Sequence, residues 1–198
     1  SGVLVIQCHT PGMHKEMKLL CTAFSAALGD ALFAVYDKSS KSLAKHGGIT
    51  SEDGLVWGKL PENHHAMEHG HKFNIDWEKG QKTGFFIDQR ENRKLLAHYS
   101  KGKKVLNVFS YTGGFSIYAM KAGATEVHSL DSSARALEVC DENVVLNDLP
   151  AKGHKSLQED AIAFLKEDLS EYDIIVLDPP AFAKRATARH AAVQGYKR

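Results

Sequence analysis

The stretch Val105-Leu106-Asn107-Val108-Phe109-Ser110-Tyr111-Thr112-Gly113-Gly114-Phe115-Ser116 carries the pattern from which the rest of the chain can be read. An apolar strand pattern runs into a glycine pair and then into a helical pattern. Glycines at such a junction let the backbone turn tightly and approach a ligand, and the amino end of the helix offers unpaired N–H donors. The dinucleotide fingerprint GxGxxG is absent, because no glycine follows Gly113-Gly114 at the required spacing, which argues against a pyrophosphate seated at the turn. Alone, a glycine-bearing strand-to-helix junction can equally be only a turn.

Outward from this stretch, strand and helix patterns alternate. Strands are expected over Lys104–Phe109, Glu126–Leu130, Gly153–Leu157 and Asp173–Leu177, with helices over Gly114–Lys121, Ala134–Asn147 and Ala161–Asp168. Strict alternation with Val/Ile/Leu strands predicts an α/β fold whose parallel sheet is covered on both faces and binds ligands beyond its carboxyl ends. The first 79 residues have a different texture. A strand over Val3–Cys8, a helical pattern at Met13, Met17, Leu20, Phe24 and Leu28, and short strands at Leu32–Tyr36, Leu55–Leu60 and Met67–Ile75 predict a small α+β domain over 1–79, ahead of the sheet domain over 80–198.

Three acidic positions close three of the expected strands. Asp131 can accept both ribose hydroxyls of a nucleoside ligand, or cap the following helix, although Ser132 and Ser133 could do that instead. Asp160, beside Ala161, could take an adenine amino group or serve as an N-cap. Asp178-Pro179-Pro180 ends a buried strand with a rigid main chain whose carbonyls are free to face a planar base, which packing alone does not explain.

Together, Asn107, Phe109, Tyr111, Gly113-Gly114, Asp131, Asp160 and Asp178-Pro179-Pro180 resemble an S-adenosylmethionine-dependent methyltransferase with a Rossmann-like sheet. The stretch Gly80-Gln-Lys-Thr-Gly-Phe-Phe-Ile-Asp-Gln-Arg-Glu-Asn-Arg93 is similar to the signature ahead of that domain in bacterial 23S rRNA cytosine-C5 methyltransferases, which carry a PUA domain, a small central domain and the methyltransferase domain. Met67-Glu-His-Gly-His-Lys-Phe-Asn-Ile75 resembles a strand pair of the central domain. The resemblance implies S-adenosyl-L-methionine as cofactor, with Asp88 and Arg90 closing its site. Asn107, Phe109, Ser110, Tyr111, Gly113 and Gly114 would lie at the methionine end, Asp131 and Ser132 at the ribose, and Asp160 and Ala161 at the adenine. Phe85 and Phe86 are more simply core aromatics than stacking platforms. Asp178, Pro179 and Pro180 would orient the target base in large-subunit ribosomal RNA.

In the same family a cysteine attacks carbon 6 of the cytosine from a segment downstream of Asp-Pro-Pro. None of Cys8, Cys21 and Cys140 matches it, and no PUA domain precedes residue 1, so the resemblance implies a fragment whose sheet is truncated after its fourth strand. That strand is expected to be an exposed edge. Alone, such a chain is expected to be inactive toward cytosine. Rival readings are a guanine-N7 methyltransferase, a nicotinamide-dependent oxidoreductase and a non-catalytic RNA-binding module. Methylation of an exocyclic amine is disfavoured because Ala181, not an aromatic, follows Asp-Pro-Pro, with Phe182 one place late.

The 198 residues, 43% apolar and 25% charged with 9% aromatic, exclude wholesale disorder and fibrous classes. No apolar run approaches the roughly 20 residues of a bilayer span, and no basic leader precedes Val3–Ile6, so neither a membrane partner nor a secretory signal is read. Three widely spaced cysteines suit a reducing cytoplasm. Net charge is +1, yet seven basic residues face two acidic ones between Gln81 and Lys104, and Lys184, Arg185, Arg189, Lys197 and Arg198 crowd the last twenty residues. Such stretches fit an RNA backbone or a solvated face. His64, His65, His69 and His71 read as an exposed turn with no metal, and His98 and His128 as structural. Assembly as a homodimer is left open.

Overall fold

The computed structural model describes residues 2–46, 51–60, 65–78, 80 and 84–180. These fall into two compact units, the first within Ser1–Met67 and Ile75–Phe86, the second within Glu68–Asn74 and Ile87–Arg198. A single cut between 79 and 80 therefore does not describe the units, because residues 68–74 pack with the second.

In the first unit, β1 (Val3–Ile6) is followed by α1 (Pro11–Lys15), α2 (Met17–Leu28), β2 (Ala34–Asp37), α3 (Ser40–Leu43) and β3 (Gly54–Gly58). The single helix expected from Met13 to Leu28 is divided at Glu16, whose N–H bonds to Met13 O, three residues back. That tighter turn separates α1, which Thr10 caps through Met13 N, from α2. β1 pairs parallel to β2, and β2 antiparallel to β3. Cys8, Met17, Cys21, Leu32 and Val35 form the core between helix and sheet.

β4 (Ala66–Glu68), whose Glu68 begins the second unit, and β5 (His71–Phe73) are two short paired strands, where the residue pattern gave one strand over Met67–Ile75 and the family resemblance a strand pair. His69 and Gly70 between them have φ of 48° and 81°, the double left-handed conformation of a two-residue hairpin turn. A short turn at Ile87–Gln89 leads into α4 (Arg90–Ser100), and then β6 (Lys104–Val108), α5 (Gly114–Lys121), β7 (Glu126–Asp131), α6 (Ala134–Leu146), β8 (His154–Gln158), α7 (Ala161–Phe164) and β9 (Ile174–Leu177) alternate. α7 is one turn long, where a helix to Asp168 was expected. Asp168 instead accepts from Ser170 N, an Asx turn that competes with the helix.

The four strands β6 to β9 form one parallel sheet in the order β8-β7-β6-β9. One face is apolar: Leu106, Val108, Leu130 and Ala161 pack with Phe109, Leu157, Phe164, Leu165, Leu169 and Tyr172. The opposite face carries a buried polar chain, in which Asn107 Nδ2 donates to Ser116 Oγ, Ser116 Oγ lies 2.7 Å from Ser129 Oγ, and Ser129 Oγ lies 2.8 Å from His154 Nε2. Among the described residues β9 pairs with β6 alone, and its Ile175 and Leu177 remain exposed. No helix among the described residues is long and apolar enough to cross a membrane.

Candidate cofactor site

Beside β6 the chain reverses its winding. It steps from β6 to β7 to β8 on one side and returns to place β9 on the other, and open α/β sheets bind ligands at such a switch point, above the carboxyl ends of the strands. The turn out of β6 is held in an unusual conformation there. Phe109, Tyr111 and Gly113 have φ of 58°, 49° and 78°, and for the two aromatics this costs on the order of 1–3 kcal/mol each. Three contacts enforce it: Ser110 N donates to Leu130 O, Gly113 N to Ser110 O, and Tyr111 N to Asp131 Oδ2, each at 2.9 Å.

Two features of this turn fit a polar ligand. Ser110 is 6% exposed and, among the described residues, its Oγ has no hydrogen-bond partner, an omission that costs about 1–3 kcal/mol unless something else supplies the bond. Gly113 is the N-cap of α5 and no side chain caps the helix, so the first-turn N–H groups, with the positive end of the helix dipole, face the space above the sheet.

Asp131 lies at the end of β7 with both oxygens in use. Oδ2 accepts from Tyr111 N and Oδ1 from Ser133 N, each at 2.9 Å. It thus ties the turn after β6 to the turn after β7, while Ser133, not Asp131, caps α6 through Ala136 N. Each oxygen retains a second lone pair for a ligand hydroxyl. Asp160 follows β8, exposed, and its Oδ1 caps α7 by accepting from Ala163 N at 2.8 Å. Ser132 is exposed, Ala161 is buried in the apolar core and Phe109 packs against the same core.

Asp178, Pro179 and Pro180 follow β9 at the same rim. Burial, and then the charge of Asp88 in the turn before α4, push the Asp178 carboxyl above its ordinary value, while Arg93 opposes the rise.

Two of the residues expected at the site are placed elsewhere. Asn107 is 1% exposed and committed to Ser116 on the polar face. A strand alternates its side chains, and that face lies beneath α5, so Asn107 braces the turn from below and presents nothing to the rim. Arg90 is exposed on α4, where its Nε bonds to Glu91 Oε1 at 3.2 Å. Residues 81–83 of the signature stretch, His64 and everything from Ala181 onward, including Phe182 and the terminal basic cluster, lie outside the described residues. His69 Nδ1 meets Tyr118 Oη at 2.9 Å and the His71 ring packs on the same tyrosine. Cys140 is fully buried against Ser129 and His154, and burial pushes its thiol up to about 12.

Glu68, Arg93 and Tyr118 carry no motif that marks them as functional in the sequence. Arg93 is bonded through Nε and Nη2 to the two Glu68 oxygens at 2.8 and 2.9 Å, and Tyr118 Oη donates to Glu68 Oε1 at 3.0 Å. For Arg93 the one signal is a charge at a helical position that turns inward.

The model of the family described as S-adenosylmethionine-dependent methyltransferase matches residues 16–198. A ribosomal RNA large subunit methyltransferase of Deinococcus radiodurans is 38% identical over 202 residues, covering 99% of this chain and 49% of the relative. Ribosomal RNA large subunit methyltransferase I of Aeromonas hydrophila is 36% identical, covering 98% of this chain and 50% of the relative. The chain thus spans about half the length of these curated relatives. Among solved structures, a methyltransferase complexed with SAH superposes with a TM-score of 0.76 at 26% identity, over 94% of this chain and 48% of that one. A Streptococcus mutans protein described as a SAM-dependent methyltransferase gives 0.75 at 26% identity, over 91% and 47%. With the strained turn, the unpaired Ser110 hydroxyl and the uncapped helix end gathered at the switch point of its sheet, the chain belongs to the S-adenosylmethionine-dependent methyltransferase family.

Proposed function

We propose that this chain supplies the donor-binding half of an enzyme that methylates a base of large-subunit ribosomal RNA in the cytoplasm, with carbon 5 of cytosine as the acceptor. The names of the relatives and the resemblance of Gly80–Arg93 support the substrate. The Ser110 hydroxyl, buried and unpaired at the strained turn, is the single observation that carries the cofactor assignment.

Bound S-adenosyl-L-methionine supplies a methyl group on a sulfonium, activated for transfer to a carbon nucleophile. The chain's own residues bind and orient. Ser110 and the first-turn N–H groups of α5 hold the amino-acid end, Asp131 accepts from the ribose hydroxyls, and the Asp160 rim borders the purine. Asp178-Pro179-Pro180 gives the acceptor base a rigid edge with a carboxylate and free carbonyls. Fixing donor and acceptor in one orientation supplies much of the acceleration.

Carbon-5 chemistry further requires a thiolate at carbon 6. All three cysteines of this chain are buried, and the raised Cys140 thiol is no nucleophile at neutral pH, so this reading assigns the attack to a residue outside the chain.

Calorimetry of the chain with S-adenosylhomocysteine and with NAD, side by side, tests the donor site. The proposal expects heat with the first alone, and binding of NAD in its place refutes it. Labelled S-adenosylmethionine incubated with unmodified large-subunit rRNA and the full-length enzyme tests the acceptor: label at cytosine C5 is expected, and label at guanine N7 overturns that assignment.

A further inference from the structure

We propose that Arg93 and Glu68 are a positioning pair for the cofactor: by gripping α5 at two successive turns they set where the amino end of that helix, and so the methionine end of the donor site, lies. This rests on the reading that the rim above α5 takes S-adenosylmethionine.

The grip is visible at two points. A Cβ on Gly114 would lie 3.2 Å from Arg93 Cδ, so the arginine stem occupies the space that a larger residue would need at the first position of α5. One turn further on, Tyr118 Oη donates to Glu68 Oε1 at 3.0 Å. Positions 114 and 118 lie four apart on one helical face, and the ion pair runs along that face. Burial, with the Glu68 bond second, raises the Tyr118 hydroxyl, so it remains a donor across the neutral range. Arg93 comes from α4 and Glu68 from the hairpin strand β4. Two elements outside the parallel sheet, α4 and β4, thereby converge on α5.

Stability alone is a poor account of the pair. The two side chains are 3% and 8% exposed, and bringing both charges out of water costs several kcal/mol, which their attraction at best offsets. Apolar residues of similar volume are often as stable. What a two-pronged guanidinium–carboxylate contact provides is direction, since both bonds form in only one relative orientation. Arg93 also opposes the rise of the Asp178 carboxyl.

The test uses this chain, with S-adenosylhomocysteine titrated calorimetrically and thermal unfolding followed in parallel. The neutral pair Arg93→Met/Glu68→Gln removes both charges and leaves neither unpaired, and it is expected to unfold near the parent's temperature. Its dissociation constant for S-adenosylhomocysteine is expected to rise by about tenfold, roughly the value of one well-placed contact. Arg93→Lys keeps the charge but loses the fork, and should give a smaller rise. Affinity within about twofold of the parent in either folded variant overturns the proposal. If the double variant does not fold, Arg93→Lys decides by the same criterion. A parent that binds no S-adenosylhomocysteine sinks the donor-site reading itself, whereas a parent that binds with variants that bind equally well sinks only the pair's role.

Discussion

A Cβ placed on Gly113 would lie 2.2 Å from the Cys140 sulfur. The glycine turn that starts α5 thus rests directly on α6, and this position admits no side chain for two independent reasons: the sulfur beneath it and a φ of 78°.

These two reasons can be separated. Gly113→Ala should destabilise the second unit by about 2–4 kcal/mol, combining left-handed strain with overpacking. In a Cys140→Ala background the clash with the sulfur is gone and only the 3.2 Å approach to the Cβ of position 140 remains beside the conformational part, so the same substitution should cost less, roughly 1–2 kcal/mol. Denaturant unfolding of the four proteins gives the coupling. Strictly additive costs would show that the sulfur is not what excludes a side chain.

Asp131 connects two turns through two main-chain N–H groups, each at 2.9 Å. Asp131→Asn keeps one carbonyl oxygen and turns an NH2 group toward a donor. Loss of a charge-assisted bond of about 1.5–3 kcal/mol should weaken S-adenosylhomocysteine binding by roughly tenfold or more, with a smaller fall in melting temperature. Binding calorimetry beside a thermal melt checks both, and undiminished affinity would remove Asp131 from the site.

The parallel sheet could be read from residues because β6 and β7 place Val105, Leu106, Val108, Val127 and Leu130 in full burial, a signal that no local competition masks. The glycine pair at the foot of α5 was legible for the same reason: few residues tolerate that backbone. α4 was not. Its buried positions are Arg93, Leu96 and Ser100, so only one apolar residue marks the inward face, and hydrophobic periodicity has almost nothing to detect. The importance of Arg93 lies in a partner 25 residues away, on a hairpin strand too short to announce itself. Asn107 is the opposite case. A polar residue in a strand beside a glycine turn invites assignment to a ligand, whereas the serine that accepts from it, Ser116, is nine positions further along the chain and is itself paired with Ser129.

His154 gives the fold an acid-sensitive element. Its side chain is buried against Ser129, and burial lowers its proton affinity below the ordinary histidine value of 6.5. Above that value both folded and unfolded chains carry a neutral imidazole and the shift has no effect. As pH falls through it the unfolded chain takes up the proton while the folded one resists, so stability declines from there down to the folded value. Unfolding free energies at pH 7.5 and 5.5, read as about one unit above and below 6.5, should therefore differ more for the parent than for His154→Gln. The comparison isolates this residue from His71, whose value is also lowered. Equal pH dependence in the two proteins would mean that His154 is not the group responsible.

Asp178 titrates under two opposed neighbours. Burial and the Asp88 charge raise it, and Arg93 lowers it. Asp88→Asn removes a repulsion that favours the protonated form, so the Asp178 midpoint should fall toward the ordinary carboxylate range. Arg93→Met/Glu68→Gln, which leaves no buried carboxylate unpaired, removes the Arg93 attraction that favours the ionised form, so in that variant the midpoint should rise. Carboxyl-carbon NMR of the two variants and the parent measures this directly and requires no turnover. Because an ionised carboxylate is acceptor-only and bonds a base N–H more strongly than the neutral acid, base recognition should extend to lower pH in Asp88→Asn than in the parent. Should the Asp178 midpoint stay fixed when Asp88 is neutralised, the two acids do not share an environment, and Asp88 would lose its place at the rim.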